Sequence, residues 1–226
     1  MLNHSTSHPN DPQPVVKHPN DAVAAEPESN YPVQISSLLS QFYSSSQTLA
    51  DFELAASVPA PNDQLLDHNH HMTVTVEAFH NEQVDVVVHR SRSILASGES
   101  VWHNDKNLKT AERLSIAEQT VSYSREITLV TQQSRKVVQY GIVRLDPAML
   151  QRAVWLGIAG GEIPLGRVLI NHQVLRSVEL CQLWKVKSGI ALSALLETDV
   201  DQIVYGRTAL IRCDDNPAIE LLEIVC

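Results

Sequence analysis

The stretch Val121-Ser122-Tyr123-Ser124-Arg125-Glu126-Ile127-Thr128-Leu129-Val130 alternates with a period of two, which is the pattern of a β-strand whose successive side chains point to opposite faces. One face takes Val121, Tyr123, Arg125, Ile127 and Leu129, and the other takes Ser122, Ser124, Glu126 and Thr128. Arg125 interrupts the apolar row. A buried guanidinium without a counter-charge is costly, so the strand calls for an anion facing Arg125. Two anions meet that demand: a carboxylate of the protein, or a carboxylate of a ligand.

Outward from this strand, Gln132-Gln133-Ser134 turns the chain into a second strand over 136–143, so the two form a hairpin. Asp146-Pro147 opens a helix, with Asp as N-cap and Pro at the first helical position. It runs through Met149, Leu150, Val154, Trp155 and Ile158 and stops at Gly160-Gly161. Residues 163–170 follow, then a mixed segment over 174–183 and a helical stretch over 191–197. Strands over 204–213 and 218–225 close the chain around the turn Asp214-Asp215-Asn216-Pro217.

Towards the N-terminus, Val33, Ile35, Leu38, Leu39 and Phe42 form an amphipathic helical pattern that ends at Ser44-Ser45-Ser46. Residues 48–54 read as a second short helix with Ser46 or Thr48 as N-cap. Residues 57–71 read as a loop, and 73–79 and 84–89 as two strands joined across His80-Asn81-Glu82-Gln83, with 90–95 continuing the second. Residues 97–110 read as a polar loop around Val101-Trp102, and 114–117 are ambiguous. Residues 1–30 are rich in His, Asn, Pro and Ser without periodicity and read as a disordered or loosely attached arm, leaving 31–226 as a single domain. The whole is α+β with an antiparallel sheet of about six or seven strands.

The 226 residues carry a formal net charge of −9, with 43% hydrophobic and 19% charged residues. This balance disfavours a nucleic-acid partner and an anionic membrane surface, both of which need clustered basic residues. No apolar run reaches the roughly 20 residues of a membrane span, and no secretory signal pattern opens the chain. Cys181, Cys213 and Cys226 are too few and too scattered for a disulfide framework, so a cytoplasmic chain with reduced thiols is expected. His68-Asn69-His70-His71 lacks Cys or carboxylate partners at metal-ligand spacing, and no metal site is expected. Gly157-Ile158-Ala159-Gly160-Gly161 has the form of a helix C-cap, without the Gly-Lys-Ser/Thr of a phosphate loop.

The last hairpin adds charges of the Arg125 kind. In 218–225 one face carries Ile219, Leu221, Glu223 and Val225, and the other Ala218, Glu220, Leu222 and Ile224. Arg207 starts an apolar row of Ala209, Ile211 and Cys213. Two arrangements follow. In one, Arg125 and Glu223 form a salt bridge that only ties strands together. In the other, Arg125 and a Glu face each other across a cavity holding a small anion. The guanidinium fork matches a carboxylate, and a Glu in an apolar site can exchange a proton near neutrality.

Several stretches, in order, resemble the chorismate lyase family, including its divergent branch: 46–52, Tyr123-Ser124-Arg125-Glu126-Ile127-Thr128-Leu129, Tyr140-Gly141-Ile142-Val143 with Asp146-Pro147-Ala148-Met149-Leu150, Ile163-Pro164-Leu165-Gly166-Arg167, and Tyr205-Gly206-Arg207-Thr208 with Asp215-Asn216-Pro217 and Glu220-Leu221-Leu222-Glu223. The resemblance spans about residues 33–226. It implies a six-stranded antiparallel sheet with flanking helices enclosing a buried ligand pocket. It also implies a lyase converting chorismate to 4-hydroxybenzoate and pyruvate for quinone biosynthesis, without metal or organic cofactor. By position, Arg125 matches the residue that holds the ring carboxylate, and Leu165 and Leu49 match pocket-lining residues. Glu223 best matches the final-strand Glu, with Glu220 left open by the spacing. The same fold class resembles the effector-binding half of certain transcriptional regulators. The alternative function is therefore a non-enzymatic sensor or binder of a small aromatic acid. Residues 1–30 are too short and too acidic-polar for a winged-helix domain.

Overall fold

The strand read from residues 121–130 is β4 (Thr120–Thr131), paired with β2 (Val84–Leu95) on one side and β5 (Val137–Leu145) on the other. The computed structural model describes residues 32–45, 49–103 and 110–226, with 110–113 as backbone alone. The arm at 1–30, the N-cap at Ser46 or Thr48 and much of the 97–110 loop lie outside the described residues. The remaining strands are β1 (Ala50–Ala55), β3 (Ser100–Trp102), β6 (Arg176–Ser188), β7 (Ile203–Cys213) and β8 (Asn216–Val225). Together they form one 8-stranded sheet in the order β1-β6-β7-β8-β5-β4-β2-β3, antiparallel throughout.

Helices cover both faces. On one, α1 (Ile35–Leu39) and α7 (Ile190–Leu196) pack over Tyr140, Ile142, Leu222 and Ile224. On the other lie α2 (Asn62–Leu66), α3 (Met72–His80), α4 (Thr110–Gln119), α5 (Arg152–Gly160) and α6 (Leu165–Asn171), over Tyr123, Ile127, Leu129, Val143 and Leu221. This is the expected α+β class, an antiparallel sheet with flanking helices, built with eight strands instead of six. With both faces covered, the central strands β4, β5, β7 and β8 bury both of their side-chain rows. A fully buried aliphatic side chain contributes about 1.5–3 kcal/mol of burial free energy.

The two extra strands come from segments whose local pattern pointed elsewhere. Residues 48–54 were expected to be helical, but Ala50–Ala55 joins the sheet edge as β1. There Asp51 and Glu53 stand opposite Lys187 and Lys185, and Lys185 Nζ meets Glu53 Oε2 at 3.0 Å. Cross-strand charge pairs of this kind favour a strand over the helix that Ala, Leu and Glu prefer locally. Ser100–Trp102 became β3 by pairing with β2.

The opposite correction applies to 73–79, expected as a strand and found in α3. Its β-branched residues alternate, but packing selects a helix that buries Met72, Thr73 and Val76 on one side. Tertiary burial overrides a weak local preference. The expected hairpin at 80–83 is instead the end of this helix, with Asn81 in the left-handed region (φ 52°) and its N–H bonded to the Glu77 carbonyl. α2 replaces part of the loop expected over 57–71. The Asp146-Pro147 helix divides into a 3-10 turn, Pro147–Met149, capped by Asp146 on the Ala148 N–H at 2.9 Å, and α5, ended by Gly161 at φ 73°.

Candidate functional site

A cavity of about 40 Å³, counted as the space open to the centre of a water molecule, lies between the sheet floor and helices α3 and α6. Strand alternation brings Arg125, Ile127 and Leu129 of β4, Gln139, Gly141 and Val143 of β5, Leu221 and Glu223 of β8, and Arg207 and Ile211 of β7 to its walls. Leu165 and Gly166 line it from the start of α6, and His70, His71, Met72 and Thr73 from the start of α3.

Arg125 is 1% exposed. Its Nη1 donates to the Ile158 carbonyl near the C-terminal end of α5 at 3.3 Å, and its Nε has no hydrogen-bond partner. Among the described residues, no carboxylate lies within 4.0 Å of it. Burial pushes its pKa below the ordinary arginine value. The helix end offsets part of the cost of burying the charge but supplies no full counter-charge.

The sheet register explains why Glu223 does not answer Arg125. Arg125 sits opposite Val143, and Val143 opposite Leu221. Glu223 is therefore two strands away and two residues further along, roughly 12 Å at the Cα atoms. Its register neighbour is Arg207. Arg207 is fully buried, and its Nε donates to Glu223 Oε2 at 2.7 Å. The rest of that guanidinium donates to the carbonyls of Leu66, His68 and His70, at 3.4, 2.7 and 3.1 Å. Arg207 thus neutralises Glu223 and pins the segment leading into α3, which borders the cavity. The Arg125–Glu223 salt bridge weighed from the sequence does not form.

The other expected site residues divide between the two faces. Leu165 lines the cavity. Leu49 does not: it is fully buried in the core on the opposite face, with Trp184 and Leu192. Glu220 also faces that side, where it pairs with Arg144, its register neighbour on β5. Of the two carboxylates left open by the sequence, Glu223 lines the cavity and Glu220 does not.

Arg207 was visible in the sequence as a charge opening an apolar row, but its role as the partner of Glu223 depends on the β7–β8 register. Gln139 was missed. It is 3% exposed, lines the cavity, and its Oε1 has no hydrogen-bond partner. The signal was an amide inside the apolar strand Val137-Val138-Gln139-Tyr140. His71 was also missed. Burial first, then the charges of Arg176 and Arg207, lower its pKa to about 4, and its Nε2 accepts from Arg176 Nε at 2.6 Å. Among the described residues no group of His, Cys, Asp or Glu could hold a metal ion.

The opposite face holds a second buried charge. Glu126 accepts from Tyr43 at 2.5 Å, Tyr140 at 2.7 Å and Arg90 Nε at 2.6 Å. Burial alone would raise the Glu126 pKa, but these hydrogen bonds outweigh it and hold the carboxyl below its usual value. A bulge in β2 between Val88 and Arg90 brings Arg90 opposite Glu126. The Arg90 guanidinium lies over the rings of Phe42 and Tyr43, 5.0 and 4.7 Å from their centroids. This network is fully paired and ties the segment after α1 to the sheet.

No protein-family model matches the chain, and no curated protein matches its sequence. Several solved structures resemble it in outline, three of them as follows. PhnF from Mycobacterium smegmatis is 13% identical with a TM-score of 0.42, over 69% of this chain and 63% of that one. The effector domain of the same protein is 14% identical with a TM-score of 0.41, over 69% of this chain and 86% of that one. The ligand-binding domain of a GntR-family transcriptional regulator from Bordetella bronchiseptica is 9% identical with a TM-score of 0.40, over 63% of this chain and 85% of that one. The chain therefore matches less than two thirds of the length of full PhnF. At these TM-scores and identities the likeness describes an outline of shared architecture and no more.

The expectation of a chorismate lyase is corrected here, together with its chorismate, 4-hydroxybenzoate, pyruvate and quinone-biosynthesis assignments. The solved structures that resemble this chain include PhnF, its effector domain and the ligand-binding domain of a GntR-family regulator, and none of these three is described as a lyase. The carboxylate expected to handle the proton is occupied by Arg207. What stands of the resemblance is the α+β class, an antiparallel sheet with flanking helices. Among the described residues no helix is long and apolar enough to cross a membrane.

Proposed function

We propose that this chain is a non-catalytic ligand-binding domain whose cavity takes a small organic monoanion, with the ligand's carboxylate on Arg125. The observation that carries this reading is the Arg125 guanidinium: buried, bordering a cavity, with an unpartnered Nε and, among the described residues, no carboxylate within 4.0 Å. A fold keeps such a charge at a cost in stability, and an anion bound part of the time would relieve that cost. Charge balance sets the ligand's valence. Glu223 offsets Arg207, and His71, with a pKa near 4, is neutral at pH 7. Among the described residues, Arg125 and Arg207 are the arginines lining the cavity and Arg125 is the one without a carboxylate partner, so one negative charge fits. Val86, Ile127, Leu129, Val143, Val178 and Ile211 line the cavity around it and suit an apolar carbon body.

The test is ligand-linked thermal stabilisation by a panel of small mono- and dicarboxylates. A monocarboxylate at about 100 times its Kd should stabilise the chain by about 2.7 kcal/mol, a rise in Tm of roughly 5–10 °C for a chain of this size. The shift should vanish in Arg125→Met. An unchanged shift in that variant would remove Arg125 from the site, and dicarboxylates binding best would overturn the charge balance.

A further inference from the structure

We infer that Gln139 is a specificity-determining residue, and that the ligand carries a hydrogen-bonding group, a hydroxyl or an amine N–H, at the end away from its carboxylate. This deepens the anion-binding reading and rests on it.

Gln139 is almost fully buried, yet its Oε1 has no partner and the side chain borders the cavity. A buried amide oxygen without a donor is costly, so it stands in the same relation to a missing donor as Arg125 does to a missing anion. The sheet register sets the two apart. Arg125 is opposite Val143 and Leu129 is opposite Gln139, with the Ile127–Gly141 pair between. Their Cα atoms are about 14 Å apart along the cavity floor, and both side chains reach into the cavity, which leaves a short span between the polar ends.

Gly141 and Ile127 make that span apolar. A Cβ added at Gly141 would meet the Leu222 carbonyl at 3.3 Å and the Ile127 side chain at 3.5 Å, so the middle of the floor is the Ile127 side chain lying over a glycine. The site then reads as two polar ends over an apolar middle. The amide at the far end offers both an acceptor and a donor, which suits a hydroxyl; an amine N–H would use the acceptor alone. An acid ending in a methyl group would leave the amide oxygen unpaired.

The test uses the full chain and matched acids that differ only in a terminal hydroxyl: butanoate with 4-hydroxybutanoate, hexanoate with 6-hydroxyhexanoate, and phenylacetate with 4-hydroxyphenylacetate. Kd values are measured by calorimetry for the wild type, Gln139→Leu and Arg125→Met. In at least one pair the hydroxylated acid should bind the wild type about tenfold more tightly. Gln139→Leu should abolish that ratio and retain binding of the plain acid. If the wild type binds the plain acid as tightly as its hydroxylated partner in every pair, the Gln139 inference fails, and this arm needs no variant to fold. An unchanged ratio in Gln139→Leu also overturns it. If none of the acids binds the wild type, or if Arg125→Met binds them equally well, the anion-binding reading itself has failed. Arg125-dependent binding without hydroxyl discrimination removes only the role of Gln139.

Discussion

Arg125→Met should make the unliganded protein more stable while abolishing its response to acids. Burying a guanidinium costs several kcal/mol after relaxation. Against this, Arg125 makes one hydrogen bond, to the Ile158 carbonyl, which as a charge-assisted bond is worth about 1.5–3 kcal/mol. The end of α5 adds about 0.3–1 kcal/mol. Removing Arg125 does not orphan that carbonyl, because it also accepts from the Gly161 N–H at 3.1 Å. Methionine is unbranched and fills irregular space, so it occupies much of the volume the arginine stem leaves. The balance favours the variant by about 2 kcal/mol, or roughly 4–8 °C in Tm at this chain length. Urea and thermal unfolding without ligand provide the measurement, with far-UV circular dichroism to show that the fold is unchanged. A variant that loses 2 kcal/mol or more would show that Arg125 is already well partnered in the folded protein. The case for a missing ligand anion would then collapse.

Arg207→Met should behave in the opposite way and lose about 3–5 kcal/mol in urea unfolding, because it leaves Glu223 buried and unpaired; a loss below 1 kcal/mol would contradict the pairing. Glu126→Leu should cost about 2–4 kcal/mol by stranding the Tyr43 and Tyr140 hydroxyls. Hydrogen exchange should then quicken in the segment after α1, and unchanged exchange there would count against the tether. His71 sets a pH dependence. Its folded pKa, near 4, lies below the ordinary value of 6.5, so the unfolded chain takes up a proton first as pH falls. Stability should be at its full value above pH 6.5 and decline between pH 6.5 and 4, by on the order of 1–2 kcal/mol once its partial exposure is discounted. His71→Gln should flatten that part of a Tm-versus-pH curve, and an unaltered slope would exclude His71 as its source.

Local chemistry determined much of this protein. The alternation over 121–130 specified β4, and the amide and glycine of β5 were present in plain view. Asp214 and Asp215, at φ 49° and 66°, form the two-residue turn of the β7–β8 hairpin, a conformation that Asp tolerates better than most residues. The expense of burying Arg125 could likewise be read before any fold was known, because it depends only on a charge within an apolar row. The tertiary structure decided what lies next to what. The sheet order set Glu223 beside Arg207 and left Arg125 unanswered, two strands away. It turned Leu49 and Glu220 to the far face. It also made a helix of 72–80 and a strand of 50–55 against their local patterns. A period of two says which residues share a face, but the partner across that face is set by strand order and register. These come from burying both rows of the central strands at once, a condition no single stretch of sequence contains.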